Sequence, residues 1–382
     1  MRRSLVGRVA ASDGSRRRAE ATCVPVFSRR DMLVLAAGAC LAPLTAGLGS
    51  CSSDGGAQTG GEQDDSSTRT VTDLGGNAVE VSSAVERYAV LWVAGTDILA
   101  MLDGLSHIVM YPDVSGGYPL LFDFYPGMAG IPSCDAEQAS AEEVIAQGAQ
   151  VVFMRASDNP DLAERLASAG VATVDIAFNS YDGLKDAVAL VADVLNTDEA
   201  RAKARDWCAY FDEMLSACDA LVQEVSGEPE PTAIVIRDTS SYQVYGSGRF
   251  AGQWVERCGG DYVLDTGDPT GYVNITKEQL LAYDPDYIFF IFEGCSEELM
   301  ADPSLQQLTA VKNGHVFDNP AVLNTWSNHG CEAVLQFAWA RHTMYPEFFG
   351  TDGLEDEVAR FFETFFGLQL GDRDFSVIFP ER

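Results

Sequence analysis

Two stretches, Glu142-Glu143-Val144-Ile145-Ala146-Gln147-Gly148-Ala149-Gln150-Val151-Val152-Phe153 and Glu278-Gln279-Leu280-Leu281-Ala282-Tyr283-Asp284-Pro285-Asp286-Tyr287-Ile288-Phe289, align without a gap. Each reads as a short helix that turns and runs into a compact apolar segment. An apolar run that closes a helix-turn-strand unit marks alternating α/β structure with a parallel, doubly covered sheet. The unit occurs once in each half of the 382 residues, so the chain reads as two copies of one plan.

The flanking sequence repeats the same order. Ahead of the first copy lie a hairpin over 70–81 and a strand over 88–93 that feeds a helix from about 96 to 102. After it come a helix over 162–169 and a strand over 172–176. The second half has a strand over 232–236, a helix over 252–258, the repeated unit, a strand over 315–317 and a helix over 331–344. Between the halves, 182–225 has almost no strand character, and from Asp198 onward Ala, Glu, Arg, Lys, Leu and Met favour helix. One long helix is expected over 197–225, with Leu215, Cys218, Leu221 and Val222 on its buried face. Gly227-Glu228-Pro229-Glu230-Pro231 stops it, because proline lacks the donor a helix needs. The fold expected is α/β: two Rossmann-like lobes with mostly parallel sheets, over 69–196 and 227–382, joined by a single long α-helix over 197–226.

Residues 1–50 read as an export signal and stand outside the fold. Basic residues lead to Ser28-Arg29-Arg30-Asp31-Met32-Leu33 and then to an apolar run over 33–48, an order that resembles a twin-arginine signal. Leu48-Gly49-Ser50-Cys51 resembles a lipobox, which makes Cys51 the expected lipidation site. The Ser-, Gly- and Asp-rich segment over 51–68 cannot bury apolar surface and is expected to be a flexible tether.

Residues 1–50 hold eight of the 25 bases and three of the 57 acids, leaving 17 bases against 54 acids. So acidic a chain is repelled by nucleic acid and by anionic membrane surface, and neither is expected as a partner. Six cysteines follow the tether without a C-x-x-C pair, and their spacing leaves disulfides and buried free thiols both open.

Further motifs stand in order along the chain: Val71-Thr72-Asp73-Leu74-Gly75-Gly76, the two repeated units, Gln243-Val244-Tyr245-Gly246-Ser247-Gly248-Arg249-Phe250, Val255-Glu256-Arg257-Cys258-Gly259-Gly260 and Ala310-Val311-Lys312-Asn313-Gly314-His315-Val316. With these, residues 69–380 resemble the substrate-binding proteins of iron-siderophore, haem and cobalamin ABC importers. The resemblance implies a non-enzymatic, monomeric protein without a cofactor. It would clamp its ligand between two lobes and deliver it to a permease dimer, from the outer face of the cytoplasmic membrane where acylated Cys51 anchors it. It also implies that one surface glutamate per lobe docks on basic permease residues, and motif position puts these at Glu142 and Glu278. Both head a helix, where a carboxylate is favoured by the dipole whatever else it does.

In open α/β sheets ligands bind beyond the carboxyl ends of the strands. Arg155 and Arg237 follow equivalent strands and could hold an anionic chelate by charge-assisted hydrogen bonds; ion pairs with Asp158 and Asp238 are the plain alternative. Aromatic residues crowd the same loops. Trp92 and Trp254 read as core; Tyr245, Tyr272 and Trp326 read as exposed, and Tyr111 and Tyr242 join them as candidate ligand contacts. In Thr325-Trp326-Ser327-Asn328-His329-Gly330-Cys331-Glu332, His329 could ligate a metal or cap a helix.

With only four histidines, a site for a bare transition metal is not expected. Gly246-Ser247-Gly248 lacks the lysine of a phosphate loop, and no G-x-S-x-G elbow occurs. Among cargoes the two arginines favour a ferric siderophore, ahead of cobalamin or another corrinoid, then haem. An anchored sensor on the same fold is the alternative outside transport.

Overall fold

A computed structural model describes residues 67–114, 118–264, 271–350 and 353–380. The chain divides into two units, Met1–Glu62 and Gln63–Arg382, and every described residue belongs to the second. The signal, Cys51 and nearly all of the expected tether lie outside the described residues.

Strands β1 (Thr68–Thr72) and β2 (Ala78–Ser82) form the antiparallel hairpin. Its turn is closed by Asp73, whose Oδ1 accepts from the Asn77 amide at 2.7 Å. The first lobe is then built on β3 (Tyr88–Val90), β4 (Ile108–Pro112), β5 (Ser133–Cys134), β6 (Val151–Met154) and β7 (Ala172–Asp175). All pair in parallel, in the order β5-β4-β3-β6-β7. The second lobe carries β8 (Thr232–Ile236), β9 (Gln243–Tyr245), β10 (Asp261–Tyr262), β11 (Tyr272–Asn274), β12 (Tyr287–Phe290) and β13 (Val316–Asp318), in the order β11-β9-β8-β12-β13. β10 pairs in parallel with the start of β8, while β9 and β11 run antiparallel. The set β4-β3-β6-β7 therefore recurs as β10-β8-β12-β13, which is the internal repeat in three dimensions.

The repeated unit folds alike in both places because its local signals are alike. Helices Ala141–Ala146 and Lys277–Tyr283 each open on a capping box, Ser140 with Glu143 and Thr276 with Gln279, which satisfies two of the amides a helix start leaves free. Left-handed Gly148 (φ 68°) and Asp284 (φ 43°) then turn the chain into β6 and β12, whose residues are all buried.

The bridging helix runs Asp198–Glu224 with Thr197 as its cap, accepting from the Ala200 amide. Its buried stripe is Ala200, Ala204, Trp207, Phe211, Met214, Cys218 and Leu221. Leu215 is only part-buried and Val222 is 39% exposed, so the expected face is corrected by about one residue position. The reason is the phase set upstream: Trp207 and Phe211 are fully buried, each worth roughly 2–3 kcal/mol, and the two-turn, seven-residue steps from them reach Met214 and Cys218, which leaves Leu215 and Val222 at the edge of the stripe. Helix Tyr181–Leu195, not foreseen, packs against it.

One apolar core runs through both lobes and the bridging helix, with a smaller one on the other face of the first sheet. The six described cysteines are free thiols; Cys218 and Cys258 are buried with their Sγ atoms 3.7 Å apart. Among the described residues no helix is long and apolar enough to cross a membrane.

Candidate functional site

The carboxyl ends of equivalent strands face one cavity of about 130 Å³. Arg155 follows β6 and Asn179 follows β7; Ile291 follows β12, and Ser327, Asn328 and His329 come from the loop after β13. Tyr245 on β9 and Gly248–Ala251 complete the wall. Phe250 and Ala251 are the first turn of helix Phe250–Arg257, whose end attracts negative charge. Gly252 lets that helix start so close to the loop before it, since a Cβ there would run into the Ser247 backbone.

His329 sits among rings from both lobes: Phe250 at 4.8 Å, Trp92 at 5.5 Å and Phe178 at 5.8 Å between centroids. Its Nδ1 lies 2.7 Å from Asn328 Oδ1. With Nδ1–H donating there, the lone pair is left on Nε2. Burial, then Arg155, then Arg249, push its pKa down to about 4, so the ring is neutral at physiological pH. The two arginines come from opposite lobes. Arg155 is 3.0 Å from Asp158 and lies 5.3 Å over Trp92; Arg249 lies 3.9 Å over Tyr272.

Of the residues singled out in the sequence, Arg155, Tyr245 and His329 meet at this cavity. Tyr272 is 47% exposed and stands beside it, its ring 5.0 Å from Tyr245. Arg237 is not among the lining residues: its amide donates to Gln243 O at 2.7 Å where β8 hands over to β9, and its side chain lies beside Asp238 and over Phe292, close enough to act on Tyr245 of the lining. Trp326, expected exposed, is fully buried and donates from Nε1 to Glu332 Oε2 at 3.0 Å. Tyr111 and Tyr242 are likewise buried off the cavity. Trp92, expected in the core, is part-buried against His329 and Arg155, whereas Trp254 is core and donates to Ser327 Oγ at 3.1 Å. Asn179, Arg249, Ser327 and Asn328 also line the cavity; Arg249 stands in the 243–250 motif and Ser327 and Asn328 in the 325–332 segment, whereas Asn179 carries no sequence signal of its own.

Glu142 and Glu278 both stand exposed at helix starts. Their own backbone amides hold both carboxyls below the usual range, helped at Glu142 by its ion pair with Arg165 and at Glu278 by Thr276. Among the described residues no three His, Cys, Asp or Glu side chains converge to hold a metal ion.

Residues 95–323 match the family described as periplasmic binding protein. The chain belongs to that family. Its members are solute-binding proteins of ABC importers, which act outside the cytoplasm and are not enzymes. Solved structures share the two-lobe fold. The molybdate-binding protein MolA of Haemophilus influenzae, solved with molybdate, is 19% identical with a TM-score of 0.71, covering 79% of this chain and 99% of its own. A periplasmic solute-binding protein of Veillonella parvula is 20% identical with a TM-score of 0.68, over 82% and 97%. The haem-binding protein HmuT is 22% identical with a TM-score of 0.56, over 74% and 93%. No curated protein sequence matches the chain.

Proposed function

We propose that this periplasmic binding protein captures an anionic metal chelate, a ferric siderophore first, and presents it to an ABC permease through Glu142 and Glu278. One observation carries the reading: Arg155 and Arg249 reach one cavity from opposite lobes and flank a neutral histidine. Two guanidinium groups suit carboxylate, hydroxamate or catecholate oxygens, and charge-assisted bonds to them are the strong ones. Nε2 of His329 then offers the metal a lone pair wherever the chelator leaves a position open. A corrinoid or haem is the alternative cargo, and acylation at Cys51 is the proposed anchor.

The volume favours a second reading. A cavity of about 130 Å³ encloses only one face of a siderophore, which would rest largely over the mouth, whereas a compact oxyanion enters whole. Fluorescence titration with a ferric catecholate, ferric hydroxamate, ferric citrate, haem, cobalamin and molybdate separates these, since Trp92 lies against the site. Binding of a ferric chelate at micromolar concentration or below supports the first reading. Binding of molybdate alone supports the second, and binding of a corrinoid alone overturns both.

A further inference from the structure

The loop that brings Ser327, Asn328 and His329 to the cavity ends where all three parts of the molecule meet. The Cys331 amide donates to Oδ2 of Asp97, on helix Val93–Met101 of the first lobe. The Cys331 carbonyl accepts from Trp207 Nε1 of the bridging helix at 3.2 Å. The next amide, that of Glu332, also acts on the Asp97 carboxyl. Glu332 turns its own carboxylate back into its loop, accepting from the amides of Val322, Leu323 and Asn324 and from Trp326 Nε1. Gly330 fits because a Cβ there would run into Asp97 Oδ2.

We infer that Asp97 is a positioning residue for the ligand-contacting segment 327–329, fastening it to the first lobe through the Cys331 peptide. Packing alone does not call for an acid here. Asp97 is 3% exposed and its Oδ1 has no partner, and an apolar side chain of the same size would avoid that cost. What only an acceptor can do is take the Cys331 amide of the opposite lobe. The same short segment acts on the loop twice, since Trp92, five residues earlier, lies against His329. Movement of the loop relative to the first lobe therefore needs Asp97 to let go. The consequence for cargo rests on the cavity being the ligand site; the fastening itself does not.

The test is amide exchange on the ligand-free full chain at pH 5.5, resolved to the peptide around residue 331, together with the imidazole NMR signal of His329. Asp97→Ala removes the acceptor and should speed exchange at Cys331 at least tenfold and shift the His329 signal, while amides of the bridging helix keep their rates. Asp97→Asn keeps an acceptor oxygen and should stay within about threefold of wild type; the tenfold change in the alanine variant corresponds to about 1.4 kcal/mol, within the range for one hydrogen bond. If the alanine variant does not fold, Gly330→Ala makes the same break from the other side and should give the same local signature. Rates within twofold of wild type in Gly330→Ala, equal acceleration along the bridging helix, or no rescue by asparagine would overturn the assignment. No ligand enters the measurement, so its failure and a failure of the cargo reading are told apart.

Discussion

Replacing Asp97 by asparagine should make the protein more stable at neutral pH but not in acid. Burial, beside a second buried carboxyl at Glu332, pushes the Asp97 pKa up from its ordinary 3.8 to about 7, against the pull of two backbone amides. Tyr118 and Tyr125, raised first by burial, are raised further by the same pair, and no cation offsets it among the groups that act on Asp97. The folded protein thus keeps the Asp97 proton up to about pH 7, whereas the unfolded chain releases it near pH 4. Between those values folding takes up a proton, so this group's contribution falls as pH rises, by about 1.4 kcal/mol per pH unit and on the order of 4 kcal/mol across the window, then levels off. The asparagine variant lacks this group's dependence and keeps only that of Glu332, whose carboxyl is itself raised by burial. Its extra donor, facing the place where Oδ1 finds no partner, costs about 1–3 kcal/mol at every pH and drops out of the comparison. Thermal unfolding of both proteins at pH 4.5 and 7.5 measures the effect: the variant should gain roughly 5 °C relative to wild type between the two. A difference in Tm that is the same at both pH values would refute the raised pKa and the burial argument behind it.

Arg155→Ala and Arg249→Ala should each weaken cargo binding by about 10- to 100-fold in fluorescence titration, the range for loss of a charge-assisted hydrogen bond, while Arg237→Ala stays within about twofold. If Nε2 of His329 donates to the metal, cargo affinity should be flat from pH 5 to 8 and fall as pH drops through about 4, where the ring gains its proton; a purely ionic contact would strengthen there instead. Glu142→Ala combined with Glu278→Ala should leave cargo binding unchanged and cut uptake into whole cells at least tenfold, whereas unchanged uptake would favour the sensor.

Much of this architecture is legible because it is written locally. The capping boxes at Ser140 and Thr276 and the apolar runs after them announce the repeat, and Thr197 and Gly227 bracket the bridging helix. The cavity is less legible because its members are chosen by contacts distant in sequence. Arg237 follows its strand as Arg155 does, yet β8 pairs with antiparallel β9, the Arg237 amide bonds to Gln243 O, and the side chain lies beside Asp238 and Phe292 without lining the cavity. Arg249 reaches the site instead, from the turn after that added strand. Trp326 sits among Asn, Ser and Gly, neighbours that suggest an exposed loop. The loop is wound inward around the Glu332 carboxylate, and an acid serving as the centre of a buried loop has no sequence signature.

The junction at Cys331 bears on how such a protein can bind. A continuous core and a peptide held from both sides leave little freedom for the lobes to swing, so affinity must come from groups that can change partners in place. Arg155 is suited to this. Its bond to Asp158 joins side chains that are 42% and 53% exposed, and such a pair contributes about 0–1 kcal/mol. Exchanging Asp158 for an anionic oxygen of the cargo therefore costs little and needs only a side-chain rotation. Arg249 already lines the cavity, stacked on the exposed ring of Tyr272. Under the proposed function, two cations, one recruited by rotamer, against a loop fixed at Cys331, would give capture without large closure, and the glutamates proposed to dock would keep nearly the same separation in the free and loaded protein. On this argument the permease tells the two states apart by what fills the cleft mouth and by how firmly the lobes are held, rather than by the distance between Glu142 and Glu278.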